Sequence, residues 1–236
     1  MTTSFQADIR PLFTERDIQG MMKGFNLATG EIQGWLCSDD VIEPDAIREV
    51  LDYFQEHPQD QFIYGDALFI NREGQVFETK REIEWNSFVW LHDHNYIRQP
   101  SAFWRKTLYE KVGGINPELK ACMDPELFSR FALVTRPVHV RGIWSRLRMY
   151  PEIKSFRMRE AHEAVQRVIL SRFDANYRWP MQRPIYWAVA KGLRTYFKIQ
   201  QHCYSDSHFS QLMCLFSKRR WKEMSGVWDF TADSNR

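Results

Sequence analysis

Residues 28–40 read ATGEIQGWLCSDD, and this stretch decides which fold the chain can adopt. The first four residues are typical of a helix end, since Gly30 can take the left-handed conformation that stops a helix. Residues 32–37 form a short and mostly apolar run, which predicts a strand buried on both faces. Ser38, Asp39 and Asp40 follow, so two carboxylates are expected at the carboxyl end of this strand, where open α/β sheets bind ligands.

Two adjacent carboxylates at a strand end are suited to hold a divalent cation. Oxygen ligands favour Mg²⁺ or Mn²⁺, and such an ion can neutralise a diphosphate. An acidic pair by itself is a weak signal, because aspartate is also a common turn former. The residues around the pair therefore decide between a metal site and a plain turn.

The composition narrows the classes of protein to consider. The chain has 236 residues, of which 44% are hydrophobic and 15% aromatic, enough for one core and an appendage. A formal net charge of +2 implies no strongly charged partner, which argues against a nucleic-acid binder. No apolar stretch approaches the roughly 20 residues of a membrane-spanning helix. Four widely spaced cysteines without a Cys-x-x-Cys pair disfavour zinc, and lone thiols without a recognisable signal peptide predict a cytoplasmic protein.

The acidic pair and its surroundings resemble the inverting family 2 glycosyltransferases with the GT-A fold. Those enzymes read roughly N-K-G, A-x-G-E and G-W-L-N-S-D-D where this chain has MKG, ATGE and GWLCSDD, at residues 22–24, 28–31 and 34–40. The pair is similar to their DxD-type motif. The resemblance implies that Asp39 contacts the nucleotide-sugar and that Asp40 binds the Mg²⁺ or Mn²⁺ ion.

A second match follows in residues 97–105, IRQPSAFWR, which resemble the family's I-x-Q-P-A-x-F-W-R. This match implies that Gln99 and Trp104 border the donor or acceptor sugar. The alternative is that Trp104 is an ordinary core residue. The family also commonly has Tyr-Gly-Asp, and Asp66 of this chain either lines the acceptor side or is a turn or cap aspartate.

The candidate catalytic base is Asp124. The number of residues between Gly113 and Asp124 matches the family pattern G-G-x-x-x-x-L-x-x-A-M-D-x-E-L-x-x-R. In the family the aspartate of this pattern is the base. Direct displacement at the anomeric carbon needs a carboxylate to take the proton of the acceptor hydroxyl. A helix N-cap would equally explain an aspartate at 124. Glu126 is the alternative base, and Arg130 is expected to pair with an acid.

Residues 145–155, SRLRMYPEIKS, resemble the family's R-x-R-x-H-x-x-S-K-T. Arg146, Arg148 and Lys154 are therefore candidates to meet phosphate charge, because a guanidinium fork fits phosphate oxygens. The chain departs from the pattern at Tyr150, where the family usually has a histidine that can contact the metal or pyrophosphate. Ile153 replaces a serine of the pattern.

The resemblance covers residues 23–172 and implies an α/β fold, namely a partial GT-A mixed sheet with flanking helices. We expect residues 1–175 to form this domain, lacking the N-terminal strand-helix-strand segment that cradles the nucleotide base in the family. Residues 176–236 are expected to form a helical C-terminal extension.

The function that follows from the resemblance is transfer of a sugar from a nucleotide-sugar donor to a saccharide or lipid-linked acceptor in polysaccharide assembly. The donor would be a UDP-, GDP- or dTDP-sugar. The alternative is an inactive, transferase-like binding or scaffold protein. The missing front segment, Tyr150, and Met22 in place of the family's asparagine favour this alternative.

Two further patterns remain open. His92-Asp93-His94 has the i, i+2 spacing of a metal-binding pair, but without a third ligand at typical spacing these are expected to be surface or core histidines. Residues 185–199 and 208–227 mix aromatic and basic side chains. This mixture predicts either amphipathic helices in peripheral contact with the anionic inner membrane face, or ordinary helices with a solvated basic face.

Overall fold

The computed structural model describes residues 15–119, 121–149 and 159–203. Tyr150, Ile153, Lys154 and the amphipathic pattern of residues 208–227 lie outside these ranges. In chain order the elements are α1 (Glu15–Leu27), β1 (Ile32–Gly34), β2 (Val41–Ile42), α2 (Ala46–Glu56), β3 (Phe62–Ile70), β4 (Val76–Lys80), α3 (Ser87–His92), a 3-10 turn (Gln99–Ser101), β5 (Ala102–Arg105), α4 (Lys106–Lys111), α5 (Met123–Val134), β6 (Val138–Arg148), α6 (Arg159–Arg172) and α7 (Gln182–Gln200).

The strands form one six-stranded mixed sheet in the order β1-β5-β3-β6-β2, with β4 paired to the far end of β3. β3 and β6 run parallel, and every other pair in this sheet is antiparallel. Helices flank the sheet on both faces. The α/β fold with a mixed sheet and flanking helices is therefore confirmed.

The central strand β3 is buried along almost its whole length because both of its faces are covered, and Asp66 is its one charged residue. Successive side chains of a strand point to opposite faces. Phe62 and Tyr64 enter the larger core with Trp104 and the α5 residues Phe128 and Phe131. Ile63 enters the smaller core, which is formed against α2 by Ala46, Val50, Phe54, Phe103 and Trp144.

Trp144 sets how closely β3, β6 and α2 approach. A Cβ atom on Gly65 or on Gly142 would lie 2.5 Å from the Trp144 indole, so both positions require glycine. The indole Nε1 donates to Glu49 of α2 at 2.8 Å. This packing fixes α2 against β3 and β6.

The first strand is shorter than predicted. The apolar run 32–37 was expected to be a strand buried on both faces, but β1 ends at Gly34 and pairs only with β5. Past Gly34 the chain leaves the sheet, and the main-chain oxygen of Trp35 accepts from the side-chain amide of Gln99 instead of from a neighbouring strand. The acidic pair consequently lies in the loop that joins β1 to β2.

Candidate functional site

Cys37, Asp39 and Asp40 lie together in the loop between β1 and β2. The Cys37 sulphur and one carboxylate oxygen from each aspartate all lie within 4.8 Å of one another. Asp39 is exposed, while Cys37 and Asp40 are half-buried. Two carboxylate oxygens and a thiol at this spacing form a donor set that fits a divalent cation.

Asp40 is fixed by the main chain of β6. Its Oδ1 accepts a hydrogen bond from the backbone N–H of Arg148 at 3.0 Å. Burial raises the pKa of Asp40 to about 6, and the neighbouring Asp39 carboxylate adds to this, although the Arg148 amide and guanidinium oppose it. A bound cation would counter both effects, because it favours the ionised carboxylates.

Arg148 anchors the acidic loop. Its Nε donates to the main-chain oxygen of Asp39 at 3.1 Å, and its Nη1 donates to the main-chain oxygens of Asn71 at 2.9 Å and Arg72 at 2.6 Å. The loop is thereby tied to the turn between β3 and β4. On its other side, the Cys37 thiol donates to Gln99 Oε1 at 3.3 Å. Gln99 thus positions the loop, a contribution that the sequence pattern did not predict.

Arg146 lies beside the loop on β6, opposite Val41 of β2. Its Nε and Nη2 both donate to the carboxylate of Glu43. In this structure the two arginines expected to meet phosphate therefore bind protein oxygens. Phosphate contact by Arg146 and Arg148 stays a prediction, and it would require exchange of these bonds.

Asp124 lies in the first turn of α5 and does not form its N-cap. The N-cap position is occupied by Cys122, whose φ of 55° is left-handed. The N-cap explanation of this aspartate is therefore wrong. Burial raises the pKa of Asp124 to about 6, while its own backbone N–H and the Arg98 cation act in the opposite direction. Such a carboxylate is ionised at neutral pH and can accept a proton.

Glu126, the alternative base, is 1% exposed. Its two carboxylate oxygens accept from Arg130 at 3.1 and 2.8 Å, and Arg172 pairs with the same group. Glu126 has no surface to offer an acceptor hydroxyl, so the geometry leaves Asp124 as the candidate base. The expected pairing of Arg130 with an acid is confirmed.

Trp104 lies inside the larger core with none of its surface exposed. Its indole Nε1 donates to Gln33 Oε1 of β1 at 3.3 Å. A side chain in this position cannot touch a sugar in this structure. Its location matches the core alternative rather than the sugar-contacting one.

Asp66 and His92 belong to the interior, whereas the His94 side chain is 40% exposed. Asp66 Oδ1 accepts from the backbone N–H of Glu82 at 3.0 Å and lies 2.9 Å from His139 Nε2. His92 Nδ1 lies 3.0 Å from the Tyr177 hydroxyl, and His94 Nδ1 lies 3.0 Å from Asp93. Each of these groups thus already has a protein partner.

The consecutive residues Arg98 and Gln99 connect the acidic loop to the surroundings of Asp124. Gln99 holds residues 35–37, and the Arg98 cation acts on the carboxyl group of Asp124.

The predicted Asp39, Asp40, Arg146 and Arg148 are brought together at β2 and β6. Cys37 joins them, although its thiol was expected to stand alone. Cys37 lies two and three residues before the aspartates in the sequence, and this short spacing was the signal that could have placed its thiol in the site.

No protein-family model and no curated protein matches the chain. Staphylococcus aureus TarS 1-349 in complex with UDP-GlcNAc is similar in structure at 14% identity, with a TM-score of 0.49 over 85% of this chain and 56% of that one. The mannosyltransferase PcManGT from Pyrobaculum calidifontis, in complex with GDP-Man and Mn²⁺, is 13% identical, with a TM-score of 0.42 over 91% and 64%.

A longer S. aureus TarS structure is 16% identical, with a TM-score of 0.45 over 80% of this chain and 32% of that one. The chain therefore spans about a third to two thirds of the length of these neighbours.

Proposed function

We propose that the chain is a GT-A glycosyltransferase domain that transfers a sugar, with inversion, from a nucleotide-sugar to a saccharide or lipid-linked acceptor. The observation that carries the proposal is the convergence of Asp39 and Asp40 with Cys37 within 4.8 Å, in a loop that Arg148 anchors. The ordered sequence match around these residues supports the same reading.

The donor site would be formed by the acidic loop. Asp40 and Asp39 would hold Mg²⁺ or Mn²⁺, which supplies charge neutralisation for the diphosphate of the donor. Asp39 is the more exposed of the two carboxylates and would face the nucleotide. Gln99 would act indirectly, since it holds the loop through Cys37 and the Trp35 carbonyl.

The transfer step would require Asp124 as the general base. The acceptor oxygen forms a bond to the anomeric carbon as the bond from that carbon to the diphosphate breaks. The diphosphate leaves with the electron pair, and Asp124 takes the proton of the acceptor hydroxyl. One carboxylate suffices, because no covalent intermediate between sugar and enzyme forms.

The second candidate is a binding or scaffold protein that retains the donor site without transfer. The engagement of Arg146 by Glu43, and of Arg148 by three main-chain oxygens, favours it. Arginines held in this way have few donors left for a diphosphate.

Calorimetry with and without Mn²⁺ tests donor binding, using UDP-GlcNAc and GDP-mannose as probes. We expect binding that depends on the metal and weakens at least tenfold in Asp40→Asn. The matched control is Asp45→Asn, which changes an exposed aspartate paired to Arg48 and should bind like the wild type. Absence of binding, or equal binding by Asp40→Asn, would refute the donor site. Binding without transfer of radiolabelled sugar would establish the scaffold alternative.

A further inference from the structure

Helix α7 has two apolar faces, and only one of them is buried. The buried face packs on α3 and the larger core. Ala190 is fully buried, Leu193 and Phe197 pack against the core, and the Tyr186 ring contacts Phe88 of α3. This face accounts for the attachment of the helix to the α/β domain.

The other apolar face of α7 is exposed and forms a continuous stripe. Its large members are 47–67% exposed, and at 100° per residue they fall within an arc of about 80°. They are Met181, Ile185, Val189, Tyr196 and Ile199. Gly192 lies within the same arc, and a Cβ atom there would meet nothing within 4 Å. We call this surface the α7 stripe.

The surroundings of the α7 stripe are basic. Residues 176–203 contain five arginines and lysines and no aspartate or glutamate. Arg194 and Lys198 turn inward and pair with Glu82 at 2.9 and 3.2 Å. The other three, Arg178, Arg183 and Lys191, have exposed side chains, and Arg183 lies 3.8 Å from Glu163 of α6.

Two exposed tryptophans accompany these basic residues. Trp179 is 71% and Trp187 is 46% exposed, and Lys191 Nζ lies 4.7 Å from the centre of the Trp187 ring. Tryptophan beside basic side chains is typical of helices at a membrane interface, and Trp179 lies two residues before Met181 at the end of the stripe. At 100° per residue Trp187 lies about 160° around the helix from the centre of the stripe, so it faces away from the proposed contact.

We propose that the α7 stripe lies on an anionic lipid surface, with the helix axis parallel to the membrane plane. Charge complementarity favours this occupant over a second copy of the chain. Three of the five cations are already paired with Glu82, Asp93 or Glu163. Two α7 helices facing each other would still bring the exposed Arg178 and Lys191 of both copies together, with no acid in residues 176–203 to compensate. The segment after residue 203 carries the basic cluster of residues 218–222, KRRWK, and would meet the same repulsion near Lys191.

In this proposal the protein binds to the surface of the membrane through the α7 stripe. No helix in the described part of the chain is long and apolar enough to cross a bilayer. Because Arg194 and Lys198 tie α7 to Glu82 in the domain, docking of the stripe would also fix the orientation of the domain on the membrane. This proposal does not depend on sugar transfer.

The test uses the full chain and sedimentation with vesicles. Vesicles of phosphatidylcholine with phosphatidylglycerol should bind the protein at low salt and release it at high salt, since exposed charges are screened. Vesicles of phosphatidylcholine alone should bind it weakly. The variant Lys191→Glu should lower partition into anionic vesicles only. No binding of the wild type to anionic vesicles at low salt would overturn the proposal.

A matched pair of variants separates the stripe from general surface hydrophobicity. Ile185→Ser with Ile199→Ser should lower the partition coefficient by roughly tenfold or more, since apolar burial drives interfacial binding. The control, Val76→Ser with Leu133→Ser, removes two apolar side chains that are 48% and 50% exposed elsewhere and should bind like the wild type. Equal partition of both double variants would contradict the proposal. So would a wild-type dimer, seen by sedimentation velocity, that the stripe variant converts to a monomer.

Discussion

Asp124 has a carboxyl group whose raised pKa gives the proposed reaction a defined pH dependence. Burial raises this pKa to about 6, so the fraction of Asp124 able to accept a proton falls as the pH drops below that value. With excess Mn²⁺ present, we expect kcat/KM for sugar transfer to fall about tenfold per pH unit below pH 6. The excess metal matters because a bound cation lowers the pKa of Asp40 and so removes its contribution to the profile.

The variant Asp124→Asn provides the control for this profile. It should lower kcat by about 10²–10⁴-fold, the usual contribution of a general base, and leave donor binding nearly intact. The residual activity of this variant should not show the fall in kcat/KM below pH 6. Full activity in Asp124→Asn would show that the base lies elsewhere.

Cys37 makes the donor set of the acidic loop softer than two carboxylates alone. Thiolates bind Co²⁺, Zn²⁺ and similar ions well, whereas Mg²⁺ prefers oxygen. Titration of the protein with Co²⁺ should therefore produce the near-ultraviolet charge-transfer absorption of a cobalt–thiolate bond. We expect Cys37→Ser to lose this absorption.

The matched control is Cys203→Ser, which removes another half-buried thiol, one that donates to the main-chain oxygen of Glu82. This variant should keep the cobalt absorption. A band that survives in Cys37→Ser would place the metal at another thiol, and the absence of any band would remove sulphur from the site.

At the residue scale, the sequence predicted the site only in part. Asp39, Asp40 and Arg148 were expected to act together and are joined by direct hydrogen bonds. The bond from Cys37 to Gln99 joins residues 62 positions apart, and no local pattern reveals it. Trp104 was ambiguous because the same aromatic residue suits a sugar-binding surface and a core, and only the packing decides.

Among the elements, α7 is attached to the domain by a buried acid, Glu82, in addition to its apolar buried face. Glu82 is fully buried and pairs with Arg194 and Lys198 of α7 and with Arg98 of the loop before β5. Burial alone would raise its pKa, but these cations hold the pKa of Glu82 well below its ordinary value of 4.5. The carboxylate therefore stabilises the folded state in its ionised form.

Replacement of this acid tests the network. Glu82→Gln leaves three cations without their shared partner, and removal of one member of a buried ion pair costs about 3–5 kcal/mol. We expect a loss of that size in the free energy of unfolding, measured by denaturant titration at neutral pH. Asp45→Asn, which changes an exposed pair, should shift stability by less than about 0.5 kcal/mol.

The pH dependence of this difference has a definite sign. The folded-state pKa of Glu82 is depressed, so its contribution is complete above 4.5 and is lost as the pH falls through the folded-state value. The difference in the free energy of unfolding between the wild type and Glu82→Gln should therefore decrease below pH 4.5. A difference in the free energy of unfolding that stays constant below pH 4.5 would contradict the ion-pair network.

The same network shows why the surface of α7 was difficult to predict. Arg194 and Lys198 were read as part of either a solvated basic face or a membrane-facing one. Both turn inward to pair with the buried Glu82, and this partner lies more than a hundred residues earlier in the chain, beyond the reach of a local pattern. The exposed face left by this arrangement is apolar, which the helical spacing alone did not indicate.

For the whole molecule, the sequence predicted the class of fold but not the order of strands. Alternating apolar runs and amphipathic helices indicated an α/β fold. The parallel pairing of β3 with β6 joins Ile63 to Val138 and cannot be read from local periodicity. The boundary between residues 175 and 176 stays a prediction.

Binding of a nucleotide to the folded state should raise the stability of the whole molecule. A ligand at a hundredfold excess over its Kd adds about 2.7 kcal/mol to the free energy of unfolding. For a chain of this size that corresponds to a rise in Tm of roughly 5–10 °C. We expect this rise with UDP or GDP together with Mn²⁺, and its loss when a chelator removes the metal.

Variants of the two key carboxylates then separate donor binding from chemistry in one thermal measurement. Asp124→Asn should show the full rise in Tm, because the base makes no contribution to holding the nucleotide. Asp40→Asn should show little rise, since it removes a ligand to the ion that offsets the diphosphate charge. Equal rises in both variants would place the nucleotide away from the acidic loop. A full rise in the wild type without sugar transfer would instead identify the chain as a binding protein that has kept the donor site and lost the reaction.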